Sequence, residues 1–176
     1  MITTTTQLLE LFNKTRKLTE QICEPLEIED YVVQPVEFVS PPKWHLGHST
    51  WFFEEFILKH FKKDYQLFDE QFAFVFNSYY ESVGEKVVRT NRGNLSRPTV
   101  KKIYAYRAYV TEAMAKLIDS DENTSEIESL VEIGIHHEKQ HQELLLTDIK
   151  YILGNNPLLP VYNNTFKEST IEAFPH

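Results

Sequence analysis

The sequence predicts an all-α protein built as a bundle of four long helices. Only five of its 176 residues are glycine, while Leu, Lys, Glu and Ala, which favour helix interiors, are frequent. Apolar residues recur at helical spacing in four separate stretches. Prolines and a GNNP segment stand between or after those stretches, where helices end.

The first helix is predicted from about Thr5 to Cys23, with Leu8, Leu9, Leu11, Phe12 and Leu18 on its apolar side. Pro25 ends it. The following PLEIEDYVVQPVEFVSPP has proline at both ends and in its middle, and reads as an extended linker lying over the bundle. A second helix begins at Pro41 or Pro42, where proline suits the first turn, and runs through WHLGHSTWFFEEFILKHF. A third is predicted from about Thr99 to Asp119, and a fourth from about Thr124 to Leu153. From about Lys62 to Pro98 runs a connection of about 35 residues, far longer than antiparallel neighbours need. The second and third helices are therefore expected to run in the same direction, joined by a crossover. Tyr79 and Tyr80 within it are expected to close the crossover over the bundle end. Residues 1–155 form the bundle in this reading, and 156–176 a tail or the start of a linker.

Composition narrows the function. Eighteen basic against 26 acidic side chains leave a formal charge of −8, which argues against a nucleic-acid footprint. No 18-residue apolar run predicts a membrane span, and MITTTTQLLELF lacks the features of a signal peptide. Cys23 is the single cysteine, so no internal disulfide is expected and a cytoplasmic setting follows.

The residues that carry chemistry begin with HEKQH, 137 to 141, the spelling of a zinc metalloprotease helix. At about 100° per residue, His137 and His141 share a stripe with Leu130, Ile133, Leu144 and Ile152, and are expected to point into the bundle. His136 falls on the flank. Imidazoles at i and i+4 lie one turn apart, close enough for one ion to bridge both. The other reading of the pair is two neutral core histidines satisfied by carbonyls or carboxylates. His48 shares a face with Trp44, Phe52 and Glu55 on the second helix and is the expected third ligand, with His45 as the fallback. Three nitrogens with open positions suit a catalytic iron, zinc or nickel. Asp148 and Glu55 are inward acids, either of which could take a ligand imidazole's second N–H. Gln140 lies on the shoulder of the metal face, where it could offer an amide to a bound ligand. Arg89, Arg92 and Arg97 cluster in VVRTNRGNLSRPT, where guanidinium forks could hold a carboxylate; ion pairing with the acidic surface is the plainer alternative. Peptide hydrolysis fits poorly, because no strand precedes the helix to present a substrate and the best third ligand comes far earlier in the chain.

Taken together, SPPKWHLGHSTWFFEEFIL, FNSYYESVGEKVVRTNRGNLSRPT and HHEKQHQELLLTDIKYILGNNPLLPVY resemble the N-terminal DinB-like domain of the ergothioneine-biosynthesis sulfoxide synthases, the EgtB family, with ovothiol synthase related. The resemblance spans about residues 38 to 162. It implies a four-helix bundle of DinB/YfiT type and a non-haem Fe(II) on His48, His137 and His141, with zinc or nickel able to replace it in purified protein. It implies an oxidoreductase that uses O₂ to join a thiol, cysteine or γ-glutamylcysteine, to the imidazole of Nα-trimethylhistidine as a sulfoxide. Gln140 matches the family's imidazole-contacting glutamine, and Arg89 and Arg92 the pair that binds the thiol substrate's carboxylate. Family members continue into a domain resembling the formylglycine-generating enzyme, which supplies the catalytic tyrosine. This chain stops near where that domain would start, so it is expected to be a fragment or to work with that domain in trans. Faces left bare would then pair two copies into a homodimer. Competing expectations are a stand-alone DinB-type zinc or nickel transferase or isomerase acting through a thiol, and a non-enzymatic metal-binding module.

Overall fold

A computed structural model describes residues 4–78 and 84–163; the predictions for Tyr79 and Tyr80 and for most of the tail lie outside those residues. Four long helices make up most of the described chain: α1 (Thr5–Cys23), α2 (Pro42–Phe53), α4 (Val100–Ile118) and α5 (Ser125–Gly154), with a short α3 (Phe72–Phe76) between α2 and α4. No strand occurs among the described residues. Threonine sets three of the starts. The side chains of Thr4, Thr99 and Thr124 each accept the backbone N–H three residues on, from Gln7, Lys102 and Ile127. Pro42 occupies the first turn of α2.

Cross-helix contacts give the direction of each helix. Arg16 meets Thr111 while Glu20 meets Arg107, so α1 and α4 are antiparallel. Thr5 meets Glu128 and Thr19 meets Gln142, so α1 and α5 are parallel. His45 meets Asp148, and Phe53 packs against Gly134, so α2 opposes α5. Thus α2 and α4 run the same way, as the long connection requires.

α2 is buried all round, every residue from Pro42 to Phe53, including the polar Lys43, His45, His48, Ser49 and Thr50. It continues through a π turn, Glu54–Leu58, and a last α turn, Lys59–Phe61. The buried Glu54 carboxylate accepts the hydroxyls of Tyr65 at 2.8 Å and Tyr106 at 2.5 Å and the Phe68 N–H at 3.2 Å. Those bonds tie the connection and α4 to the widened turn.

The stretch after α1 is not wholly extended. Ile28–Val32 forms a 3₁₀ turn, with the Asp30 carboxylate accepting the Glu27 N–H at 3.0 Å. Tyr31 on that turn is buried, and its hydroxyl lies 3.0 Å from the Cys23 carbonyl and 2.9 Å from the Tyr104 hydroxyl. A local Asx-type bond thus competes with extended backbone here. No helix among the described residues is long and apolar enough to cross a membrane.

The bundle interior also holds a charge cluster. Arg16 on α1 and Arg107 on α4 each donate to the Glu138 carboxylate on α5, at 2.9 Å. Arg16 also reaches Thr50 and Thr111 at 2.9 Å, and Thr19 donates to Glu138 at 2.7 Å. All four long helices meet at this point. The two guanidiniums hold Glu138 at about 2 despite full burial, while burial brings Arg16 down to about 10.

Candidate metal centre

Glu138 fixes how α5 is rolled in the bundle. Its innermost line runs through Val131, Gly134, Ile135, Glu138, Gln142, Leu145 and Ile149, one face over from the stripe expected from the sequence. Ile133 and Leu144 on that stripe are 55% and 45% exposed. His137 and His141 therefore stand at the edge of the core, facing a cleft of about 420 Å³, rather than at its centre. The physical reason is electrostatic. Arg16 and Arg107 are buried, and a buried guanidinium needs a carboxylate; Glu138 is turned inward to provide it.

One ring nitrogen from each of His48, His137 and His141 lies within 4.8 Å of the others. Three nitrogens bound to one ion at about 2.1 Å stand about 3.0–3.6 Å apart, so the rings have at most about 2 Å to close on binding. His48 Nδ1 donates to the Phe76 carbonyl at 2.6 Å, which leaves Nε2 as its open nitrogen. Gly47 makes that bond attainable, because a Cβ there would stand 2.2 Å from the Phe76 ring. Trp44 stacks on His48 at 4.5 Å and 12°, and Trp51 at 5.6 Å and 23°. His137 lies 4.6 Å from the Phe52 ring, and its buried Nδ1 has no hydrogen-bond partner among the described residues. An orphaned buried nitrogen costs about 1–3 kcal/mol, and a metal ion is one way to relieve it.

All these imidazoles are held neutral. Burial brings His137 down to about 4 and lowers His48 and His141 further, with the neighbouring histidines pushing the same way. Neutral imidazole is the form that binds metal. The donor set therefore fits a divalent ion of the iron, zinc or nickel type, with three nitrogens and room on the cleft side.

The other predicted residues divide. Arg89, Arg92 and Gln140 line the same cleft as the three histidines. Arg92 is buried, donates to Ser40 Oγ at 2.9 Å, and lies 3.3 Å over the Trp44 ring. Arg89 is exposed and donates to the Phe38 carbonyl. The two sit on a 3₁₀ turn, Arg89–Asn94, clamped by Gln34, whose side chain takes the Gly93 N–H at 2.6 Å and donates to the Arg89 carbonyl at 2.9 Å. Among the described residues the cleft lining contains two arginines and no carboxylate, a local positive site on a chain of charge −8 that suits an anionic ligand. Arg97 does not join it; its side chain is exposed, bonded to the Ser96 carbonyl, beside Asp69 and Lys102. Glu55 is turned away as well and pairs with Lys59 at 2.6 Å.

His45 and Asp148 are arranged differently from expectation. His45 is buried, with Nδ1 3.0 Å from His141 Nδ1 and Nε2 2.9 Å from Asp148 Oδ2. Asp148 thus reaches a candidate ligand through His45 rather than directly. α2 is buried all round and has no outer face, so helical periodicity does not separate His45 from His48. Glu138, Arg16 and Arg107 were missed entirely, although Glu138 stands inside HEKQH.

A comparison with curated proteins finds no match. The DinB superfamily pattern matches residues 11–145, a span that begins in α1, ends in α5 and includes His48, His137 and His141. With most of the chain inside that match and an all-helical bundle around it, this protein belongs to the DinB superfamily.

Proposed function

We propose that the cleft holds one non-haem Fe(II) on His48, His137 and His141, and that the chain is the metal-binding unit of a sulfoxide synthase of the ergothioneine type. The observation that carries this reading is the convergence of three neutral imidazoles with Arg89, Arg92 and Gln140 in one cleft. In the proposed reaction a thiol and the C2–H of Nα-trimethylhistidine react with O₂. One oxygen atom enters the sulfoxide, and the other leaves as water with the thiol proton and the ring proton. The metal, when bound, supplies the site where O₂ and thiolate are brought together. Arg89 and Arg92 bind the carboxylate of cysteine or γ-glutamylcysteine as a charged fork, and Gln140 offers its amide to the trimethylhistidine ring. A second domain, in cis or in trans, completes the pocket.

Anaerobic loading with Fe(II) tests the metal assignment, followed by O₂ uptake with thiol and Nα-trimethylhistidine. Wild type is expected to retain about one iron per chain and His48→Ala to lose it while staying folded. Unchanged iron in His48→Ala would remove the three-histidine site. Uptake that needs neither substrate, or a thiol-dependent activity with zinc or nickel alone, would replace the sulfoxide synthase with a thiol transferase or isomerase.

A further inference from the structure

We propose that Asp148 and His45 form a relay that fixes the proton of His141 on Nδ1 and so leaves its Nε2 lone pair for the cleft. The relay deepens the metal-site reading and rests on it where ligand strength is concerned. It makes His45 and Asp148 positioning residues, with His45 not itself one of the converging ligands.

Hydrogen-bond polarity places each proton along these contacts. Asp148 Oδ2 lies 2.9 Å from the Ser40 backbone N–H and 2.9 Å from His45 Nε2. A carboxylate only accepts, so His45 Nε2 carries a proton. The other nitrogen of a neutral imidazole is an acceptor. That nitrogen, His45 Nδ1, faces His141 Nδ1 at 3.0 Å, a distance two lone pairs do not share. The proton between them belongs to His141 Nδ1, and His141 Nε2 is bare.

The neighbouring ligands reach their orientation by other means. His48 gives its Nδ1 proton to the Phe76 carbonyl, and His137 Nδ1 has no partner among the described residues. Among the described residues, only His141 is connected through hydrogen bonds to a carboxylate. Asp148 lies two turns past His141 on α5, and His45 from α2 fills the gap. Its ring is 3% exposed as a residue and stands edge-on to Trp44 at 5.7 Å, so it is not free to turn over. A carboxylate acting through an imidazole raises the donor strength of the ligand beyond it, and such partners are worth about 10–100-fold in metal affinity.

Two readouts on the full chain test this. Long-range ¹⁵N–¹H correlation on the metal-free protein reports the tautomer of each ring. His45 is expected with its proton on Nε2 and His141 with its proton on Nδ1; a His45 proton on Nδ1 overturns the relay whether or not metal binds. Co(II) affinity by chelator competition is the second readout. His45→Phe is expected to bind about 10–100-fold more weakly, and His45→Gln, which keeps an acceptor and a donor, to recover most of the loss with an unchanged Co(II) visible spectrum. Equal affinities for the two variants, or a changed coordination spectrum in His45→Gln, overturn the proposal. Should His45→Phe fail to fold, Asp148→Leu replaces it: His141 is then expected as a mixture of tautomers, and an unchanged His141 overturns the relay. A wild type that binds no Co(II) defeats the metal reading alone, because the tautomers still decide the relay.

Discussion

One helix, α5, carries two kinds of polar site on adjacent faces. On the inner face, Glu138 and Gln142 are saturated: Glu138 takes Arg16, Arg107 and Thr19, and Gln142 donates to the Thr15 carbonyl and Thr19 Oγ1, both at 2.9 Å. On the outer face, one turn apart, His137 and His141 offer ring nitrogens to an open cleft, and His137 Nδ1 lacks a hydrogen bond among the described residues. The two faces adjoin on one helix, and both carry polar side chains. What separates them is completion. A buried polar group with every partner in place holds helices together, whereas one left short of partners is available for something the chain does not itself supply.

The largest break in this contrast is expected from Glu138→Leu. Removing the carboxylate leaves the buried Arg16 without its ion pair and Arg107 with only the half-exposed Glu20 at 3.3 Å, a loss of about 3–5 kcal/mol. In a chain of this length the melting temperature should fall by about 6–20 °C, read by thermal unfolding. A loss under about 1 kcal/mol would mean that the cluster is solvated and the inner face no more structural than the outer.

A paired glycine test sharpens the contrast at lower cost. Gly47→Ala places a methyl 2.2 Å from Phe76, and Gly134→Ala places one 2.4 Å from Phe53. Each is expected to cost about 1–3 kcal/mol by overpacking. Only Gly47→Ala moves the Phe76 carbonyl that orients His48, so it alone should also weaken metal binding, measured per folded chain. Equal metal affinity in both variants would show that the carbonyl does not set the ligand.

Mild acid is the gentlest probe, and the two faces respond over different ranges. His137 is lowered from 6.5 to about 4, so the unfolded chain binds its proton first. The metal-free protein should keep full stability from this group above pH 6.5 and lose it as pH falls toward 4. Glu138 is lowered from 4.5 to about 2; its contribution is present above pH 4.5 and lost as pH falls toward 2. His45, His48 and His141 are lowered by burial as well and share the loss that begins below pH 6.5. In urea unfolding across that range, His137→Phe should therefore reduce that loss without abolishing it and leave the Glu138 contribution unchanged.

The helix ends were legible because they are written locally. Thr4, Thr99, Thr124 and Pro42 mark starts by a side chain within three residues of the first turn. The same holds for His137 and His141, whose i,i+4 spacing needs no tertiary information, and for the shared direction of α2 and α4, which connection length alone implies. The inward role of Glu138 was not legible. Its partners lie 122 and 31 positions away in the chain, and periodicity on one helix cannot choose between two adjacent faces that both hold apolar residues. Nor could it place His45, for which the deciding fact is a hydrogen bond to α5 103 positions on.

The stacking around His48 has a practical consequence. The chain has two tryptophans, and Trp44 and Trp51 both lie against this one imidazole, at 4.5 and 5.6 Å. All of the indole emission therefore originates within contact distance of a candidate ligand. An open-shell ion such as Fe(II), Co(II) or Ni(II) seated there would quench that light, while closed-shell zinc would leave it largely intact. The protein thus carries its own optical gauge, one that reports both occupancy and the electronic character of the occupant without any added label.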